Sequence, residues 1–391
     1  MAVGIKIIKK GEFLVLKRVS VIVMIFLLFV TASGVAEEPE YVPPQAYVAI
    51  DAITGRILMS SNENEKLGMA STTKIMTGIL AIEKGNFNDI VTIGKNPPLV
   101  EGSKIYVSEG EKITLETLVY GLLLKSGNDA AIAIAEYIGG SEAEFVNMMN
   151  EKAKELGLEN TNFTNPHGLY HENHYTTAYE LALIGRYAMK NPVFSKIVSE
   201  KMFTETPPED RDPHVIYNAN KLLSMYEEAD GIKPGFTPET GRTLVGSATK
   251  NGWRVITVTL NCPDDWKEHK KLFDYVFETY ELKKIKSAGD PLGTFRVSGG
   301  KYSEVGVACA EDIEIPVKKS GEEILVEVIN ETIEAPVQEG QIISCGGLNV
   351  ACANDYKFNL CTNSSVEVKS KNLFHAIGTI FKALFGVITN E

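Results

Sequence analysis

Apolar positions change period several times along this chain, and each change predicts an element. Ala46-Tyr-Val-Ala-Ile-Asp51 and Arg56-Ile-Leu-Met-Ser60 flank Thr54-Gly55, which reads as a β-hairpin. Ile75, Met76, Ile79, Leu80 and Ile82 then recur at helical spacing until Gly85 and Asn86 stop the run. Residues 87–113 read as irregular with short extended pieces. An apolar helical pattern covers 115–125, breaks at Ser126-Gly127-Asn128, and resumes over 130–138 before Gly139-Gly140. Ser141-Glu-Ala-Glu144 is a capping box for a helix bearing Phe145, Met148, Met149 and Leu156, and Thr177-Ala-Tyr-Glu180 repeats the device before a helix ending near Lys190. Asn165-Pro-His-Gly-Leu169 between them is a turn. Pro207, Pro208 and Pro213 among charges mark 204–214 as a surface loop. Strands follow over 232–237, 243–248 and 254–260, then a helix over 266–280.

The first domain is therefore mixed, with helices inserted between an early hairpin and a late antiparallel set. Composition shifts near 288–293, and short β-branched runs punctuated by Gly, Pro and Asn continue to about residue 370, predicting a small β domain. The expected organisation is a leader over 1–36, a mixed domain over 37–285, a β domain over 289–370 and a tail over 371–391. The leader has Lys6, Lys9, Lys10, Lys17 and Arg18 ahead of an apolar run over 19–30 and Ser33-Gly34-Val35-Ala36, the pattern of an export signal. In the tail, Leu373, Phe374, Ile377, Ile380, Phe381, Leu384, Phe385, Val387 and Ile388 fall within an arc of about 160° on a helix. That arc predicts an amphipathic helix lying in a membrane surface.

Length and charge then narrow the classes. The 391 residues suffice for two or three domains, and the formal charge of −12, with no extended basic run, argues against nucleic acid as a partner. Cys262, Cys309, Cys345, Cys352 and Cys361 are an odd set with no metal-binding spacing, so no metal site is read and buried thiols are expected.

Candidate chemistry centres on Ser71-Thr-Thr-Lys74. On a helix, residues three apart share a face, so hydroxyl and amine should touch. A serine becomes a nucleophile when a neighbouring base takes its proton, and a lysine stripped of its charge by burial or by a second cation can be that base. The same spacing recurs at Ser247 and Lys250 and at Ser298 and Lys301, so the motif needs partners. They are Ser126-Gly-Asn128 in a helix-hairpin loop and Lys233-Pro-Gly235 on a strand.

Those three pieces, in that order and context, resemble the serine D-alanyl-D-alanine carboxypeptidases, the low-molecular-mass penicillin-binding proteins. Ser126-Gly-Asn-Asp-Ala130, Asn165-Pro-His-Gly-Leu169 and Asp230-Gly-Ile-Lys233 add to the likeness. The resemblance implies an α+β, β-lactamase/transpeptidase-like catalytic domain, an antiparallel sheet with helices on both faces, followed by a small all-β domain and a C-terminal amphipathic helix. It implies Ser71 as the acylated nucleophile, Lys74 as its base, Ser126 as proton relay, Asn128 on the substrate amide and Lys233 on the terminal carboxylate. Acyl transfer also needs an oxyanion site, for which the N–H groups of Ser71 and Phe236 are candidates, and Thr237 adds a hydroxyl for the carboxylate. Substrates would be peptidoglycan stem peptides, with β-lactam antibiotics as inhibitors and no cofactor. Pro234 departs from the family, which places threonine there, and Arg242, Arg254 and Lys267 are candidates for a carboxylate-binding cation. His167 reads as a loop-holding residue and Glu239 as a solvated one. The rivals are a β-lactamase and a wall-binding protein without turnover.

Overall fold

The structure, a computed structural model, describes residues 42–322, 324–328, 332–350 and 353–369. The leader and the tail helix lie outside the described residues. The chain opens with β1 (Ala46–Asp51) and β2 (Ile57–Ser61), the expected hairpin. It then runs through α1 (Lys74–Lys84), α2 (Leu115–Leu123), α3 (Asn128–Gly139), α4 (Glu142–Glu155), α5 (Ala178–Lys190) and α6 (Pro192–Ser199). It returns as β3 (Ala229–Thr237), β4 (Gly241–Lys250) and β5 (Trp253–Leu260), followed by α7 (Asp265–Thr279). The sheet is antiparallel in the order β2-β1-β5-β4-β3, so the first and last segments of the domain meet at its centre and β3 forms an edge.

Strand side chains alternate between two layers. Val48, Ile50, Val245, Ile256 and Val258 pack on the main helical core with Ile75, Met76 and Ile79 of α1. Ala49, Leu244, Ala248 and Val255 face Phe273 and Val276 of α7. Helices thus cover both faces of the sheet, which is the α+β arrangement expected.

Caps fix the helix starts. Ser141 Oγ accepts the Glu144 N–H at 3.2 Å and Thr177 Oγ1 accepts the Glu180 N–H at 3.1 Å. The Glu180 carboxylate turns away from the cap and accepts from the Asn160 N–H and the Thr161 hydroxyl, tying α5 to the preceding loop. The segments read as irregular hold two short pairs, Ile90–Thr92 with Lys112–Thr114 and Met202–Thr204 with Val215–Tyr217. The loop inside the second pair is anchored inward, because buried Glu205 accepts from Arg211 at 2.6 Å while Arg211 and His214 also meet Glu111.

The β-rich part begins directly after α7. Tyr280–Lys286 (β6) pairs with Ile313–Lys318 (β9), and β7 (Pro291–Ser298) and β8 (Glu304–Cys309) join a six-stranded sheet. Its other members are Ile324–Val328, Thr332–Glu334, Ile342–Val350 and Ala353–Thr362. Phe295, Val307, Ile315, Phe358 and Leu360 form its core. Arg56, at the end of the β1–β2 turn, crosses to this domain, where it donates to Glu322 at 2.6 and 2.7 Å and to the Pro316 carbonyl. Cys262, Cys309 and Cys361 are free thiols, the first two buried.

Candidate active site

Ser71 lies in a single 3-10 turn, Ala70–Thr73, that leads into α1, and Lys74 is the first residue of the helix. Their side chains meet at 3.0 Å between Oγ and Nζ. The ammonium position is fully buried, and its second partner is a backbone group, the carbonyl of His167, at 2.5 Å. Burial first, and then the charge of Lys233, hold Lys74 well below the ordinary lysine range, with Asp129 opposing. A neutral amine can donate to the His167 carbonyl and turn its lone pair toward the Ser71 hydroxyl. The other Ser-x-x-Lys pairs lack this geometry. Ser247 and Lys250 lie on β4, where Ser247 donates to Asp230 and Lys250 meets Glu228.

The turn at 165–169 exists to deliver that carbonyl. Asn165 Oδ1 accepts the Gly168 N–H at 2.6 Å, and Thr77 Oγ1 donates to the Pro166 carbonyl at 2.6 Å. Gly168 has φ +88°, and a Cβ there would sit 1.9 Å from the Ala70 carbonyl oxygen, so only glycine allows the loop to lie on the Ser71 turn. The His167 ring accepts the Leu169 N–H at Nδ1, and burial pushes its pKa down to about 3, so the ring is neutral. A second histidine that sequence reasoning missed braces the same turn. His174 Nδ1 accepts the Thr164 N–H at 3.0 Å, which leaves the proton on Nε2 to donate to Thr73 Oγ1 at 2.7 Å. Thr73 donates onward to the Ala70 carbonyl.

Ser126 and Asn128 sit where α2 passes into α3. Ser126 has φ +66°, and its buried Oγ has no hydrogen-bond partner among the described residues. A buried hydroxyl without a partner is costly unless something that binds there completes it. Asn128 Nδ2 donates to the Glu101 carbonyl at 2.5 Å, so its amide is already engaged with the neighbouring loop. Asp129, which the sequence analysis did not single out, is fully buried and accepts the N–H groups of Ile105, Tyr106 and Val107 at 3.0, 2.7 and 3.3 Å. It pins Tyr106, exposed and at φ +66°, beside this loop.

The third component is the edge strand. Lys233 is fully buried, and burial brings its pKa down to about 7. Its Nζ donates to the Pro234 carbonyl at 3.2 Å. Gly235 faces the Ser71 turn, since a Cβ at 235 would lie 2.9 Å from Ser71 N and 2.5 Å from Thr243 Oγ1. Thr243 in turn donates to the Met69 carbonyl. Phe236 is 60% exposed, and Thr237 Oγ1 accepts the Thr240 N–H at 3.1 Å. Of the candidate cations, Arg242 pairs in register with Phe236 and is held by Asp265 at 2.8 Å, next to the Trp266 ring. Arg254 is bound to Asp230 at the other end of the sheet, and Lys267 is exposed on α7. Glu239 is exposed.

Ser71 and Lys74 thus touch at a helix start, and the edge strand that carries Lys233 and Gly235 lies against their turn. Comparison with known proteins bears on most of the chain. Residues 33–264 match the family described as D-alanyl-D-alanine carboxypeptidase, peptidase S11, and residues 280–356 match the penicillin-binding protein 5 C-terminal domain. The D-alanyl-D-alanine carboxypeptidase DacF of Bacillus subtilis is 35% identical over 75% of this chain and 78% of its own length. DacA of Haemophilus influenzae is 33% identical over 81% and 84%. The crystal structure of penicillin-binding protein 5 from Haemophilus influenzae superposes with a TM-score of 0.70 at 32% identity, covering 84% of this chain and 99% of that one. The chain belongs to the peptidase S11 family of D-alanyl-D-alanine carboxypeptidases, with a C-terminal domain of the penicillin-binding protein 5 type.

Proposed function

We propose that this protein is a serine carboxypeptidase that removes the terminal D-alanine from peptidoglycan stem peptides through a Ser71 acyl-enzyme, and that penicillins acylate the same serine. The observation that carries the reading is the 3.0 Å contact between Ser71 Oγ and a fully buried Lys74 whose charge the site suppresses. Lys74 takes the Ser71 proton as Oγ attacks the carbonyl carbon between the two D-alanines. Negative charge on the carbonyl oxygen is met by the N–H groups of Ser71 and Phe236. The Ser126 hydroxyl passes a proton to the leaving nitrogen, the C–N bond breaks and D-alanine departs. Water, activated by Lys74, then hydrolyses the ester. Lys233, with the Thr237 hydroxyl, holds the terminal carboxylate, and Asn128 holds the substrate amide once its Glu101 contact is exchanged. The Ser126 hydroxyl, buried with no partner among the described residues, supports its role because bound substrate would complete it.

Pro234 removes one N–H and one hydroxyl from the edge strand, and β3 tolerates it while keeping its pairing to β4 from Gly231 to Thr237. Placement outside the cytoplasm, at the membrane surface, rests on the leader pattern and the amphipathic tail. Among the described residues no helix is long and apolar enough to cross a membrane.

The test is D-alanine release from a peptide ending in D-alanyl-D-alanine, with Ser71→Ala as control. Release lost in the control by on the order of 10⁴-fold or more is expected. A Ser71→Ala protein that still formed a covalent penicillin adduct would overturn the nucleophile. Binding without release would favour a wall-binding protein, and rapid penicillin turnover a β-lactamase.

A further inference from the structure

A second cavity lies far along the sheet from the nucleophile. Ser71 abuts Gly235 and Thr243, whereas this cavity borders Thr249, six residues further along β4, or about 20 Å. It is lined by Ile53, Arg186, Met189, Lys190, Thr249 and Arg254 among others.

 The cavity measures about 580 Å³, against about 260 Å³ for the one beside Val91 and Glu136, and it has room for a phosphate group and its substituent.

Three of its lining residues are basic and none is acidic, on a chain whose 51 acidic residues outnumber its 39 basic ones. Arg254 is fixed by Asp230 at 2.9 Å and by the Met189 carbonyl at 3.2 Å. Arg186 is fixed too, but only by peptide carbonyls, with Nε donating to Ala52 at 2.9 Å and Nη2 to Ile53. Asp51, the carboxylate whose field reaches Arg186, already accepts from Thr54 and Trp253. Lys190 has no ion-pair or hydrogen-bond partner among the described residues. Burial and the Arg186 charge both pull its pKa down, the response of a cation set beside another without an anion. The C-terminus of α5 offsets about half a charge, less than Arg186 and Lys190 carry together.

We propose that this cavity is an oxyanion site for a phosphate group, with Arg186 and Arg254 as fixed walls and Lys190 as the closing cation. Two guanidinium groups held in place lose little freedom on binding, and a flexible ammonium adapts to the third side of a tetrahedral anion. The phosphate belongs either to a small soluble ester or to the headgroup of an anionic lipid.

The full chain is tested with inorganic phosphate against chloride at matched ionic strength, reading the thermal midpoint. A saturable rise is expected for the parent and for Lys190→Arg, with the half-saturating concentration raised about tenfold or more in Lys190→Ala. Co-sedimentation with phosphatidylglycerol vesicles, against phosphatidylcholine vesicles, assigns the source. Binding to the anionic vesicles that is weaker in Lys190→Ala points to a lipid headgroup, and equal vesicle binding with a lysine-dependent phosphate shift points to a soluble ester. No saturable phosphate shift, or one that is the same in Lys190→Ala, overturns the site. Penicillin acylation of Ser71 is read in parallel, and it stays unchanged in Lys190→Ala, so failure here is separate from failure of the proposed catalytic function.

Discussion

The α-carbon of Gly235 faces the amide nitrogen of Ser71 so closely that a methyl group at 235 would lie 2.9 Å from it. The edge strand and the Ser71 turn therefore approach closely, and the proposed oxyanion donors, the N–H groups of Ser71 and Phe236, belong to these two segments. Gly235→Ala is expected to push strand and turn apart and to slow penicillin acylation by about 10²-fold or more, the scale of losing one oxyanion donor. The thermal midpoint should change far less than the acylation rate, which stopped-flow and calorimetry on the same sample would check.

The two lysines should divide the pH profile between them. Burial and then the Lys233 charge hold Lys74 well below the ordinary range, and burial brings Lys233 to about 7. As pH rises through about 7, free enzyme loses the Lys233 charge and kcat/KM for a D-alanyl-D-alanine peptide should fall. Bound carboxylate favours the charged form, so kcat should fall only at higher pH. Coincident alkaline limbs in the two profiles would remove Lys233 from carboxylate binding.

Asp129 acts on Lys74 in the opposite sense to burial, favouring its protonated form. Asp129→Asn should therefore move the acidic limb of kcat/KM to lower pH. It should also weaken the hold on Ile105, Tyr106 and Val107, seen as faster amide hydrogen exchange over 105–107.

His214 is linked to stability rather than to turnover. Its hydrogen bond to Glu111 raises its pKa in the folded state. The stabilisation is fully present below the unfolded histidine value of about 6.5 and is lost as pH rises through the folded value. Opening of the Met202–Tyr217 region, measured by hydrogen exchange corrected for intrinsic rate, should increase from pH 6 to pH 8, and His214→Gln should flatten that dependence.

Much of this was legible from residue pattern because it depends on local rules. The hairpin around Thr54-Gly55, the caps at Ser141 and Thr177 and the helix break at Ser126 each carry a turn or cap chemistry that acts within a few residues. The contact between Ser71 and Lys74 was expected from helical spacing, and a 3-10 turn running into α1 delivers it. What stayed hidden acts through the backbone or across long separations. The His167 carbonyl that holds Lys74 is a group every residue has, so its side chain gave no signal, and the glycine that permits the approach looked like an ordinary turn glycine. Asp129 stood beside Asn128 but binds N–H groups more than twenty residues earlier, a distance of 22 to 24 positions. Strand β6 was hidden because its partner β9 lies about thirty residues on, and its Lys-rich sequence reads as the end of a charged helix.

Arg56 and Glu322 give the two domains a shared identity. The guanidinium comes from the hairpin that leads toward Ser71, the carboxylate from the β-rich part, and both are almost fully buried. Replacing either one alone should cost about 3–5 kcal/mol, because the other charge is left without a counterion in a dry place. Modularity is limited accordingly: a β domain borrowed from a relative would seat on this enzyme only if it brought its own acid to the position of Glu322.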